Sequence, residues 1–398
     1  MIIALAALAA ISPQVLELPD PNAEYITFQA IVKIGNLGGK DQICAQMVQD
    51  LLTDASENFN EDQIRQFSTL AGESMRCTLS GDHFRVQLEV PKGRMDLGGE
   101  ILGDLLENPR FQQDALDAEI QTASTRPHSY WAEALSPFSL NYKKITRNEV
   151  LNFYHRTFIP SATTVAIGGN FSAWEGQQAI DKYFVDWQNP KPPPRYLHKV
   201  EDPPAPLLGR HTFPITTVEL YGPEFTVSDA EFPAQILVAT ALGSGKWSSM
   251  HRILREKLGL SYVQQAVISP TPGGFQMHLI MLTSPFSDEV GLIESMRSAL
   301  LEDVKTWDES TRQRALGMAQ GYLLNGAPMS PLFLDGSSTV GYSLEDQTFL
   351  QGYWHEKAKQ GWDSKKLLDL MSKTSLDDMR KMAQNMLTGA QGGVISGQ

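Results

Sequence analysis

Seven prolines stand between residues 189 and 207, at positions 190, 192, 193, 194, 203, 204 and 206. Proline fixes φ and has no N–H to donate, so this run is a stiff, extended connector rather than a helix or a strand. It divides the 398 residues into a half spanning 1–188, the connector 189–207, and a half spanning 208–398. A chain of this length exceeds one ordinary core, so at least two domains are expected. The halves read alike. Each runs strand, helix, helix, two strands, long helices and one more helix, which implies an internal duplication of about 190 residues. Hairpins mixed with helices predict an α+β fold, each half a mostly antiparallel sheet with helices packed on one face.

The local signals are specific. Residues 24–34, EYITFQAIVKI, are rich in β-branched side chains and read as a strand. Residues 42–55 read as a helix, with Ile43, Met47 and Leu51 on one stripe. Asn60 with Gln63, Thr146 with Glu149, and Ser375 mark helix starts. Residues 75–80 and 83–89 form a hairpin across Ser80-Gly81-Asp82. In the second half, 260–268 and 274–283 pair across Thr271-Pro272-Gly273, and 288–307 is a long helix. Residues 334–352 and 354–360 read as two short helices, and the glycine-rich 389–396 as a tail.

Residues 241–262, ALGSGKWSSMHRILREKLGLSY, carry the densest pattern. A Gly/Ser loop runs into a helix with Met250, Leu254 and Leu258 four apart. Gly259 suits the C-cap because it takes positive φ without penalty. The loop lacks the spacing of a phosphate-binding loop, since Trp247 follows Lys246. A plain strand–helix connection accounts for it equally well.

Composition excludes some partners. With 33 basic and 46 acidic residues, the net charge is −13. Nucleic acid binding needs a concentrated basic surface, and no basic cluster is visible. No segment is long and apolar enough to cross a bilayer, so an integral membrane protein is not expected. Residues 1–11 are a short apolar run, either what remains of an export signal or a first element docked on the core. The compartment is open between periplasm, the favoured one, and cytoplasm. Cys44 and Cys77 read as buried thiols, or as one disulfide in an oxidising compartment.

Two runs resemble the M16, or pitrilysin-like, zinc peptidases. The first is Arg255-Glu256-Lys257-Leu258-Gly259-Leu260-Ser261-Tyr262, with the looser Gly243-Ser244-Gly245 and Ser248-Ser249-Met250 before it. The second comprises Thr146, Val150, Phe153-Tyr154, Phe158, Pro160, Val165, Gly169, Phe171, Tyr183-Phe184 and Trp187, whose aromatics serve core packing. The resemblance implies two duplicated halves like those of LuxS and the mitochondrial processing peptidase. It also implies that Arg255 and Tyr262 bind peptide substrate and polarise it.

Active members carry His-x-x-Glu-His on the first helix of the first half, and the corresponding residues here are Gln46, Gln49 and Asp50. An amide is a poor zinc donor, Gln49 cannot take a proton from water, and one carboxylate is not a site. No histidine precedes His83, so no shift of register restores the motif. Glu119 falls near the distal glutamate of the family, as a vestige or as a helix-surface carboxylate. His251 lies near the loop without a partner group to make a site. No metal or other cofactor is therefore expected on this chain.

The metal half is erased and the Arg/Tyr half is kept. The resemblance implies a division of labour, in which a homologous subunit carries zinc and this chain supplies Arg255 and Tyr262 across a shared cleft. The alternatives are an inactive scaffold with the same fold and a homodimeric peptide-binding protein.

Overall fold

The computed structural model describes residues 13–35, 37–70, 75–125, 145–187, 207–211, 214–285, 288–325, 343–358 and 364–397. They form two compact units, one of residues 13–125, 145–187 and 343–358, the other of 207–325 and 364–397. The apolar run 1–11 and nearly all of the proline-rich connector lie outside the described residues.

In the first unit, β1 (Gln14–Pro19), β2 (Tyr25–Lys33), β3 (Arg76–Leu79), β4 (His83–Pro91) and β5 (Thr163–Gly169) lie in the order β1-β5-β2-β4-β3. β1 and β5 are parallel, and the other pairs are antiparallel. In the second unit, β6 (Leu207–His211), β7 (Thr216–Tyr221), β8 (Val263–Thr271), β9 (Gly274–Thr283) and β10 (Gln391–Gly397) lie in the order β6-β10-β7-β9-β8. Again the first and last strands are parallel and the rest antiparallel. The two sheets have the same connectivity, as the duplicated element order predicts.

The first unit also holds α1 (Lys40–Leu51), α2 (Glu61–Leu70), α3 (Met95–Glu107), α4 (Gln113–Thr125), α5 (Arg147–Thr157) and α6 (Glu175–Tyr183). β2 alternates, sending Ile26, Phe28, Ala30 and Val32 into a core shared with Met47, Leu102 and Phe153. Phe153, Tyr154, Phe158, Phe184 and Trp187 are all in that core, as their packing role requires. The predicted caps form. Asn60 Oδ1 accepts from Gln63 N at 3.0 Å, and Thr146 and Glu149 complete a capping box. Cys44 and Cys77 are buried free thiols.

The second unit adds α7 (Glu231–Gly243), α8 (Met250–Lys257), α9 (Glu289–Val304) and α10 (Glu309–Asn325). The remaining helices are α11 (Leu344–Ala358), α12 (Ser364–Lys373) and α13 (Leu376–Gly389). α11 is one continuous helix, not two, and it belongs to the first unit although it follows β6 to β9 in sequence. It packs on β2 and β5, with Gly352 against Ile31 and Ala166.

α11 covers a polar face of the first sheet. Arg85, only 1% exposed, donates from Nε to Gln29 Oε1 at 2.8 Å and from Nη2 to Glu345 at 3.3 Å. Its guanidinium lies 4.2 Å from the Phe349 ring centroid. Buried Asp82 contacts His83 Nδ1 and Lys357 Nζ, each at 2.6 Å, and accepts from Tyr353 Oη at 3.4 Å. Burial alone would raise the Asp82 carboxyl. The hydrogen bonds and charges of His83 and Lys357 outweigh it and hold the group below the usual carboxylate range.

The glycine-rich segment read as a tail is β10, a strand with partners on both sides. Its glycines lower intrinsic strand propensity, but a Cβ on Gly392 would stand 2.5 Å from Ile293 of α9. Close packing of α9 on the sheet therefore requires the small residue.

Candidate functional site

α1 places Gln46, Gln49 and Asp50 together at the half-buried margin of its core face. Gln46 Nε2 lies 3.1 Å from both carboxylate oxygens of Asp50, and Gln49 Nε2 donates to Asp50 Oδ1 at 3.0 Å. Gln49 Oε1 accepts from the backbone N–H of Leu79 at 2.9 Å, tying α1 to edge strand β3. Gln49 is thus a structural hydrogen-bonding amide.

Glu119 on α4 is near enough to act electrostatically on Asp54, as are Glu61 and Asp50. Burial first, then these three carboxylates, push Asp54 up to about 6. Zinc does not fit these residues, because two of the three motif positions are amides already bonded to the third. Among the described residues, no group of three or more His, Cys, Asp or Glu could hold a metal.

The Gly/Ser loop is held by its own serines. Ser248 Oγ donates to Gly245 O at 2.9 Å, and Ser249 Oγ accepts from Trp307 Nε1 at 3.1 Å. A Cβ on Gly243 would lie 2.0 Å from Ala266 N, so the end of α7 abuts β8 without room for a side chain. The loop joins two helices, α7 and α8, rather than a strand and a helix, and its serines serve that turn. His251 is buried with Nδ1 3.5 Å from Glu256.

α8 is wound as a π-helix, with Leu258 N donating to Ile253 O at 3.0 Å, five residues back. Single π turns recur at functional sites. Met250 and Leu254 are buried, but Leu258, at the end of the segment, is exposed. Gly259 ends the segment at φ 64°, as its C-cap reading predicts. The chain then reverses into β8, with Tyr262 N donating to Leu282 O at 2.8 Å.

That reversal brings Arg255 and Tyr262 together. Arg255 Nη1 donates to Tyr262 O at 3.0 Å, and its guanidinium lies 5.7 Å from the Tyr262 ring centroid. Tyr262 is 76% exposed. A second cation–aromatic pair escaped the sequence reading. Arg314 on α10 lies 4.3 Å from the ring centroid of Trp247, which is 60% exposed. Trp247 stands among glycine and serine in the loop and could have been singled out, whereas Arg314 is remote in sequence.

Comparison with known proteins gives the same direction from independent evidence. The family model for the Peptidase M16 inactive domain matches residues 144–315, and that for insulinase (peptidase family M16) matches residues 20–149. The chain belongs to the M16 peptidase family. It is a member without the zinc motif. A protease from Helicobacter pylori superposes with a TM-score of 0.77 at 15% identity, covering 97% of each chain. An M16 inactive domain from Pseudomonas fluorescens gives 0.75 at 15% identity, over 98% of this chain and 96% of that one. A mutant of the ferredoxin protease FusC, in complex with Arabidopsis ferredoxin, gives 0.62 at 13% identity, over 96% of this chain and 46% of that one. At such identities the superpositions establish the fold. No curated protein matches the chain in sequence.

Proposed function

We propose that this M16 chain is the non-zinc-binding subunit of a heterodimeric metallopeptidase, pairing with a homologous zinc-bearing subunit to cleave peptides. The observation that carries the reading is the contrast between its two motif regions. The amides of α1 are closed on Asp50 and Leu79, while Arg255 and Tyr262 are held side by side and left open to solvent. The FusC chain, of which this chain covers 46%, is about the length expected if two such chains were joined.

In this reading the partner's zinc supplies Lewis acidity and the attacking water. The forked donors of Arg255 bind a substrate carbonyl or carboxylate. The Tyr262 hydroxyl donates to the oxyanion as it develops, where a fixed donor is worth most. No proton transfer falls to Gln49. A periplasmic setting is part of the proposal.

The test is to mix the purified chain with a zinc-motif homologue encoded nearby, and to follow zinc content and peptide hydrolysis. The chain alone should bind no stoichiometric zinc and show no hydrolysis, while the mixture should be active. Tyr262→Phe or Arg255→Ala should lower kcat/KM of the mixture by about 10²-fold. Association without any effect of either substitution would favour an inactive scaffold. Zinc and hydrolysis by this chain alone would overturn the reading.

A further inference from the structure

The second unit distributes its positive charge unevenly. Seven of its described basic side chains, Arg252, Lys305 and Lys373 among them, lie within 4.0 Å of a carboxylate. Six others are exposed and have no carboxylate at that distance among the described residues: Lys365 and Lys381 stand on α12 and α13, and the other four are Lys246, Arg255, Lys257 and Arg314. All four border α8. Glu256 is the one acidic residue between positions 246 and 263. This local excess of positive charge sits on a chain whose net charge is −13.

Exposed apolar surface gathers in the same place. Of seven large hydrophobic residues exposed among those described, four are Trp247, Leu258, Tyr262 and Val263. Two of the cations stand over two of these rings, Arg314 over Trp247 and Arg255 over Tyr262, beyond opposite ends of α8. Strand β8, which Tyr262 leads into, pairs with β9, and among the described residues its other edge has no strand partner.

We infer that the surface formed by Lys246, Trp247, Arg255, Lys257, Tyr262 and Arg314 binds extended peptide segments in which acidic side chains neighbour apolar ones. This rests on the substrate-binding reading above and names its substrate class. An arginine beside an aromatic ring presents donors for a carboxylate next to a face for an apolar side chain. Two such pairs suit a segment that carries both kinds of residue. Lysines without partners add attraction at no cost of breaking an existing ion pair. The net charge of the whole chain favours basic peptides, but recognition follows the local field at the contact.

The test uses the full chain alone, with two short fluorescein-labelled peptides of equal length read by anisotropy. One alternates Asp and Glu with Leu and Phe, and the other carries Lys at the acidic positions. The acidic peptide should bind at least about tenfold more tightly at low salt, and that advantage should shrink as salt rises. Lys257→Glu combined with Arg314→Glu should weaken the acidic peptide by at least about tenfold, with thermal unfolding unchanged. Trp247→Ala should weaken both peptides. Equal binding of the two peptides, tighter binding of the basic one, or indifference to the double substitution would overturn the inference. So would a double variant that binds peptide normally but no longer associates with the zinc-motif homologue. Loss of the acidic preference while the mixed enzyme still depends on Arg255 and Tyr262 would refute the substrate class alone. A mixture indifferent to those two residues would refute the parent reading.

Discussion

Residues 46–50 in the first unit and 255–262 in the second are the two runs that the resemblance to M16 peptidases singles out, and they differ in how their polar groups are satisfied. In α1, each amide finds its partner within the unit, on Asp50 or on the backbone of Leu79. At the end of α8, Arg255 meets the carbonyl and ring of Tyr262, and both side chains remain exposed. A polar group bonded internally supports the fold and has little left for a ligand. An exposed donor contributes little to stability and keeps its capacity for another molecule. The same contrast holds between the closed network beneath α11 and the unpaired cations around α8.

The contrast is sharpened most by Arg85 against Arg255. Arg85→Ala removes a buried cation, takes the donor from Gln29 Oε1 and leaves Glu345 with Arg76 as its basic contact, so it should cost about 3–5 kcal/mol in urea unfolding of the full chain. Gln49→Ala should cost about 1–3 kcal/mol, because it leaves the Leu79 N–H without its acceptor and removes one of the amide donors to Asp50. Equal effects at Arg85 and Arg255 would break the comparison, since Arg255→Ala should lie within about 0.5 kcal/mol of the parent chain.

A smaller effect of opposite sign is expected at Asp54. Its carboxyl titrates at about 6 in the fold against an ordinary 3.8, so the native state holds that proton more tightly than the unfolded chain. The stabilisation is present below about pH 4 and is lost as pH rises through about 6. Asp54→Asn should therefore raise the melting temperature by about 2 °C at neutral pH and leave it unchanged near pH 4. A melting temperature that falls at neutral pH would mean that the crowding of Asp54 by Glu61, Glu119 and Asp50 is not what the substitution relieves.

Much of this was legible in the residues. The caps at Asn60, Thr146 and Ser375 form because each is a local bargain between neighbours three residues apart. The turn at Gly259 and the meeting of Arg255 with Tyr262 are local for the same reason. Strand β10 was not legible, because its pairing with β6 and β7 and its contact with Ile293 come from far away in sequence. Arg314 on Trp247 was missed for that reason too.

The sequence by itself determined the α+β duplication, the absence of the His-x-x-Glu-His motif at Gln46, Gln49 and Asp50, and the presence of Arg255 and Tyr262. These follow from residue identity and short-range periodicity, which no packing can alter. Only the tertiary structure decided that residues 344–358 join the first sheet, that four unpaired cations meet four exposed apolar side chains around α8, and that the amides of α1 close on one another. Hydrophobic burial and electrostatic pairing depend on distance in space, and the chain order of a duplicated protein does not specify which of two similar sheets a late helix will cover.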